Sequence, residues 1–365
     1  MHAHLRLLSV LLGLFVGTWT PVVASAQQQS SQSPPARTAV PTIANRRLPP
    51  ITVVPLVFTM PAPEYDVLKH WGLEQWSVQE VKQLFAAMQR DGVTLVVLPS
   101  AVGNATLYPS KILPNRLDYD AYDRLFRLAQ RHGMQVAMSG ILYTYHRQFQ
   151  GKSWDAQADL EMNKRICTEL YERYGRRPNF WGWYIPHETG DRVHRGDVMT
   201  ILRHLPPFLK KLTPDKKVAF SPWFTSRVTL GDEATTPQAF AAEWDQMLQD
   251  IHGIDVFAIQ DSTAPEDEIG TWFAAAAPVF RKHGAELWSV VELFSRGQDV
   301  VRTDMSRAIP FARVLKKMQA AAPYVSRFAC WEYQNYLNPQ SPVPGAAKLS
   351  RDYRAYFKID RRNKR

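Results

Sequence analysis

Two glutamates stand at the ends of short apolar runs. Residues 180–188 read FWGWYIPHE, and residues 286–294 read ELWSVVELF. The first run stops at His187-Glu188 and passes at once into Thr-Gly-Asp, the composition of a tight turn. A buried strand that ends in a carboxylate and a turn delivers one acid to a cleft. Two acids brought to one cleft can divide the work of bond cleavage. One protonates a leaving oxygen while the other acts from the opposite side.

The elements around these runs are built to bring them together. Apolar runs of strand length occupy residues 51–60, 94–101, 135–143, 180–188, 217–225, 254–262, 286–294 and 327–333. Helical spacing occupies 77–90, 120–132, 156–174, 197–212, 237–251, 266–283, 306–321 and 345–357. Ser77, with Glu80 three residues on, predicts a capping box at the first helix. Pro206-Pro207 predicts a bend or interruption in the fourth. Nearly continuous apolar strands are expected where both faces are covered, as in parallel sheets. Eight of them alternating with helices give a single-domain (β/α)8 barrel over residues 51–357. A doubly wound open sheet would carry a Gly-rich first turn; Met60-Pro61-Ala62-Pro63 is the opposite of one.

In such a barrel the chemistry sits at the C-terminal ends of the strands. Those ends carry Thr59, Ser100 and Asn104, then Tyr143, Tyr145 and His146, then His187 and Glu188. Trp223, Gln260, Asp261, Glu292, Trp331, Glu332 and Tyr333 complete the ring. Aromatic rings can stack on the apolar faces of sugars, and carboxylates and amides bind hydroxyls. Glu188 and Glu292 are therefore the candidate catalytic pair for glycoside cleavage. Trp331, Trp223 and Tyr143 are candidate stacking platforms, with Tyr333 beside them. Gln260, Asp261 and His187 are candidate hydroxyl binders, and His187 could instead orient Glu188.

Composition bounds the setting. Residues 1–26 have an apolar core after Arg6 and end in Ala24-Ser25-Ala26, a cleavable signal peptide that predicts a periplasmic or secreted protein. Residues 27–50 are rich in Gln, Ser, Pro and Arg and predict a disordered linker. Residues 358–365 form a basic tail. The formal net charge is +10. For an exported protein this could favour acidic polymers, an acidic polysaccharide among them, or anionic lipid surfaces, or it could serve solubility alone. The basic residues are scattered and no nucleic-acid motif is present, so a nucleic-acid partner is not expected. No membrane span and no cofactor are predicted. The two cysteines, Cys167 and Cys330, fall on a helix and on the last strand, and are expected to be buried free thiols.

Two rival readings remain. His187, Asp191 and His194 lie close in sequence, as a metal-dependent hydrolase would need. Yet their spacing is not HExxH and it crosses a strand end, so no metal site is predicted. A polysaccharide-binding barrel without catalysis would keep the aromatic platforms and need neither glutamate. The sequence does not specify the sugar, the linkage, or endo against exo action.

A run of short motifs carries a family resemblance. They are Trp76-Ser77, Leu107-Tyr108-Pro109-Ser110-Lys111, Gly182-Trp183-Tyr184-Ile185-Pro186-x-Glu188 and Leu212-Thr213-Pro214-Asp215. Ser221-Pro222, Gln260-Asp261, Glu292-Leu293-Phe294 and Tyr336-Leu337-Asn338-Pro339 follow in order. Over about residues 54–356 the chain resembles a bacterial family of glycoside-hydrolase-like barrels catalogued as a domain of unknown function. More distantly it is similar to the retaining glycosidase clan with catalytic glutamates after strands four and seven. The resemblance implies a barrel and sugar cleavage, with Glu188 as acid and base and Glu292 as nucleophile. The chain departs from the clan in carrying His187 where Asn usually precedes the strand-four glutamate. It departs from many relatives in carrying Ser262 rather than Gly after Gln260-Asp261.

Overall fold

The computed structural model describes residues 48–57, 72–73, 76–99, 101–102, 105–113, 115–116, 119–145, 153–188, 195–296 and 303–359. The expected signal peptide lies outside them, as do all but residues 48–50 of the linker and 358–359 of the tail.

Eight parallel strands form a closed barrel. They are β1 (Ile51–Pro55), β2 (Leu95–Leu98), β3 (Gln135–Ser139) and β4 (Phe180–Ile185), then β5 (Lys217–Phe220), β6 (Val256–Gln260), β7 (Glu286–Glu292) and β8 (Arg327–Trp331). Each pairs with its sequence neighbours, and β1 closes the ring against β8. The outer helices are α1 (Val78–Asp91), α2 (Ala121–Arg131), α3 (Ala156–Tyr174), α4 (Arg195–Leu212), α5 (Pro237–Met247), α6 (Ile269–Lys282), α7 (Phe311–Ala321) and α8 (Ala346–Phe357). The expected (β/α)8 architecture is the one observed.

Strand alternation divides the core in two. Val53, Leu95, Ala137, Ala219, Val256, Ala258, Trp288, Val290 and Ala329 fill the lumen. Their strand neighbours, such as Val54, Val96, Met138, Phe257 and Val291, face the helices in a larger outer core. Small residues at 137, 219, 258 and 329 leave lumen space for the indoles of Trp181 and Trp288, 5.8 Å apart. Gly182 is required where β4 meets β5: its φ is 150°, and a Cβ would stand 2.0 Å from the Lys217 carbonyl oxygen.

Local chemistry sets the helix ends. The Ser77–Glu80 capping box forms as expected. Helix α4 runs through Pro206 and Pro207 without ending, so of the expected bend or interruption the interruption is absent. Residues 306–308 depart further. They belong to a strand, Thr303–Ala308, which pairs antiparallel with Phe294–Arg296 after β7. Helix α7 starts only at Phe311, because Pro310 disfavours helical backbone at the residue before it.

Several resemblance motifs prove to be anchors. Buried Glu169 on α3 accepts hydrogen bonds from the Tyr108 hydroxyl (3.0 Å), the Ser110 hydroxyl (2.7 Å) and the Lys111 amide (2.6 Å). The Trp183 indole donates to Thr213 Oγ1 at 2.8 Å, tying β4 to the end of α4. Cys167 and Cys330 are both buried free thiols.

Candidate active site

Alternation along β4 and β7 decides which way each acid points. On β7, Trp288 and Val290 face the lumen, so Glu292 continues that row. Beyond β4, Glu188 lies in register with lumen-facing Tyr184, while His187 falls in the outward row with Trp183 and Ile185. Glu188 is half-buried and Glu292 fully buried.

The dipeptide Gln260-Asp261, at the end of β6 between them, engages both. The Gln260 side-chain amide donates to Glu188 Oε1 at 3.0 Å. Asp261 Oδ1 accepts the Glu292 backbone N–H at 3.2 Å. Lys317 reaches the same place from α7 and uses three donors. It pairs with Asp261 Oδ1 at 2.7 Å and donates to Ser262 Oγ and to the Glu292 carbonyl, both at 2.8 Å. Both backbone polar groups of Glu292 are thus held by one buried ion pair. Burial pushes the Asp261 carboxyl up, to about 6, against the opposing pull of Lys317.

A second carboxylate anchors the β3 loop and the end of β4. Asp159, fully buried on the first turn of α3, accepts the amides of Tyr143 (2.9 Å), Thr144 (2.8 Å) and Tyr145 (3.1 Å), and the Thr144 hydroxyl. The His187 Nε2–H donates to it at 3.3 Å. Burial alone would raise this carboxyl, but His187 and Thr144 together hold it below the usual range. The His187 ring packs edge-on against Tyr145 (5.3 Å) and beside Trp154 (6.0 Å). The Tyr145 hydroxyl donates to the Glu188 carbonyl at 3.2 Å. Gly140 permits this approach of α3, since a Cβ there would lie 2.1 Å from Asn163 Oδ1.

The expected site residues therefore separate. Glu188, Glu292, Gln260, Trp331 and Trp223 gather around the C-terminal mouth, whereas half-buried Tyr143 packs against the outer core. Trp331 is half-buried and directly opposite Glu292 in the β7–β8 register. Trp223 is bridged to Gln260, and its buried indole Nε1 has no partner among the described residues. His187 is fully buried and faces Asp159, so it acts on Glu188 through the chain rather than on a ligand. Asp261 is likewise buried and engaged with Lys317. Tyr333 lies in the outer core, its hydroxyl 2.6 Å from Asp91 Oδ2, which Arg354 also grips. The strand ends at Trp331 and a turn of π-helix, Tyr333–Leu337, follows, so strand alternation no longer governs where Tyr333 points. Thr59, Ser100, Asn104, His146, Asp191 and His194 lie outside the described residues.

Three contributors escaped the sequence reading. Tyr184 faces the lumen beside Glu188; burial and then that carboxylate push its hydroxyl well up. Lys317 and Asp159 each left a signal. Buried Val314, Lys317, Met318 and Ala321 form one helical stripe, and so do Ala156, Asp159, Leu160 and Asn163. A charge inside an apolar stripe has a buried partner or a cost. Among the described residues no group of three or more His, Cys, Asp or Glu could hold a metal. No described helix is long and apolar enough to cross a membrane.

Solved structures share this barrel. A "putative alpha-L-fucosidase" from Bacteroides thetaiotaomicron is 23% identical with a TM-score of 0.74, covering 90% of this chain and 100% of that one. An endo-1,4-beta-D-mannanase from Thermotoga petrophila is 11% identical with a TM-score of 0.52, covering 78% and 88%. A beta-galactosidase from Halorubrum lacusprofundi is 13% identical with a TM-score of 0.51, covering 83% and 58%. At these identities the likeness is one of fold. No curated protein shows significant similarity to the sequence. Residues 63–343 match the family described as Domain of unknown function (DUF4434), and the chain belongs to that family.

Proposed function

We propose that the protein is an exported glycoside hydrolase that cleaves an oligo- or polysaccharide at the barrel mouth with Glu188 and Glu292. One observation carries this reading: adjacent residues of β6 engage both acids, Gln260 through the Glu188 carboxyl and Asp261 through the Glu292 backbone. Two acids anchored to one strand end can act on one bond. The glycosidase names of several structural neighbours support the reaction class. The signal-peptide pattern of residues 1–26 supports export to the periplasm or beyond.

In the retaining form of the mechanism, Glu188 gives its proton to the glycosidic oxygen as Glu292 attacks the anomeric carbon. The leaving sugar departs as an alcohol and a glycosyl ester forms on Glu292. Water then gives a proton to Glu188 and attacks the same carbon, freeing Glu292. The Gln260 amide donates to Glu188 Oε1, so that oxygen is an acceptor and does not carry the transferable proton. This form requires carboxyl groups ~5–5.5 Å apart in the substrate complex, against ~6.5–9.5 Å for inversion. Trp331 and Trp223 would receive sugar faces, and the unpartnered Trp223 indole N–H a hydroxyl.

A second reading rests on the burial of Glu292, which is 0% exposed. Unless substrate displaces what covers it, Glu292 is structural and the mouth only binds sugars. Reducing-end release across neutral and acidic polysaccharides, with Glu188→Gln and Glu292→Gln alongside, separates the two. Hydrolysis requires release by the unaltered protein and its loss in both variants. Glycan binding without release, unchanged by either substitution, supports the binding barrel.

A further inference from the structure

On the outer wall, α1 and α2 enclose a groove of about 460 Å³. Its lining includes Trp76, Val78, Lys82, Tyr119, Arg124 and Arg131. Val78 and Tyr119 are 50% and 41% exposed, two of the three large hydrophobic residues exposed among the described residues. Helices follow strands here, so the N-terminal ends of α1 and α2 lie at the same end of the barrel as Glu188. The groove therefore starts at the catalytic rim, between Trp76 and Tyr119, and runs down α2 to Arg131.

Its charge is unbalanced. Arg124, Arg127 and Arg131 recur at a spacing that puts them on one face of α2. The two acids in the lining are already engaged. Asp120 caps α2 and accepts the Tyr174 hydroxyl at 2.8 Å, and Asp123 pairs with Arg127 and Arg177. Lys82, Arg124 and Arg131 have no carboxylate partner among the described residues. Arg124 lies over the Tyr119 ring, 5.2 Å from its centroid. An exposed ring flanked by cations without counter-ions suits a ligand with both apolar faces and anionic groups. Residues 124 and 131 are about 10 Å apart along the helix axis, which requires anions repeated along a chain rather than a single small anion.

The geometry points to this groove as a second carbohydrate site, which holds an anionic polysaccharide chain outside the barrel and next to its mouth. The site is independent of whether Glu188 and Glu292 cleave anything. Calorimetric titration of the Glu188→Gln protein with oligogalacturonate and with dextran sulfate tests it, with neutral dextran and poly-glutamate as controls. At least one anionic glycan is expected to bind, tighter than both controls. Combining Lys82→Gln, Arg124→Gln and Arg131→Gln should weaken that binding at least tenfold, and Tyr119→Ala several-fold. All four side chains are exposed, so the fold should persist. Failure of both anionic glycans to bind would overturn the assignment. So would binding indifferent to these substitutions, or poly-glutamate bound as tightly, since that is charge attraction without sugar recognition. Groove binding in a protein that releases no reducing ends would leave this site standing and remove the hydrolase reading alone.

Discussion

Two buried aspartates among the described residues, Asp91 and Asp261, pair with a lysine or arginine, and the surroundings of the two pairs differ. Asp91 and Arg354 meet in a two-point contact, at 2.7 and 3.0 Å, with the Tyr333 hydroxyl as a third partner. This cluster joins α1 to α8 and so fastens the start of the barrel to its end. Asp261 and Lys317 meet at one point, and they also engage the Ser262 hydroxyl and the peptide groups of Glu292. Asp261 Oδ2 is buried without a partner among the described residues, whereas both oxygens of Asp91 are bonded. A fully bonded pair serves the fold. A pair that leaves an oxygen unsatisfied, beside a candidate nucleophile, gives up some stability to fix the position of a functional group.

Substitutions can break this contrast in order of size. Glu188→Gln or Glu292→Gln should reduce turnover of a responsive glycan at least a thousandfold while leaving the melting temperature nearly unchanged. Lys317→Met should destabilise the protein by about 3–5 kcal/mol, because it strands a buried carboxylate. Denaturant unfolding measures that cost, and the double variant with Asp261→Asn should regain part of it. Turnover should fall in both, as neither holds the Glu292 carbonyl. Arg354→Ala should cost a similar ~3–5 kcal/mol without altering turnover of the molecules that remain folded. Tyr333→Phe removes one hydrogen bond to a buried carboxylate and should cost about 1.5–3 kcal/mol, again sparing turnover. A change in turnover with Tyr333→Phe would contradict its place in the outer core.

The contrast extends to pH. Asp261 titrates near 6 when folded, against about 3.9 in an unfolded chain. Between those values the folded state binds more protons than the unfolded state, so this group's contribution to stability rises as pH falls from 6 towards 4. Asp261→Asn should abolish that component of the stability profile. Turnover should move the other way, since protonating Asp261 weakens its hold on Lys317.

Much of this was legible in the sequence, for identifiable reasons. Eight apolar runs separated by helical periods permit few architectures, and the strand ends that carry Glu188, Gln260, Glu292 and Trp331 follow from alternation. Legibility stopped where alternation stopped. His187 and Tyr333 adjoin strand ends, which predicts a place at the mouth, yet His187 falls on the outward row and Tyr333 follows the end of its strand. The antiparallel pairing of Phe294–Arg296 with Thr303–Ala308 was hidden because the apolar residues of the second strand, Met305 and Ala308, stand three apart, a helical rather than a strand spacing. Lys317 was hidden by its type, since a lysine on a helix is ordinarily solvated; only its place in the Val314–Met318–Ala321 stripe marks it.

The central claim is that Glu188 and Glu292 have different roles at one bond. Azide rescue tests it most directly, on an activated glycoside of the sugar that the polysaccharide screen identifies. With Glu292→Gly, azide should restore turnover by attacking the anomeric carbon in place of the carboxylate, giving a glycosyl azide of inverted configuration. With Glu188→Ala, azide should instead intercept the glycosyl ester on Glu292 and give the retained configuration. Turnover by either variant at the unaltered rate without azide would contradict the account.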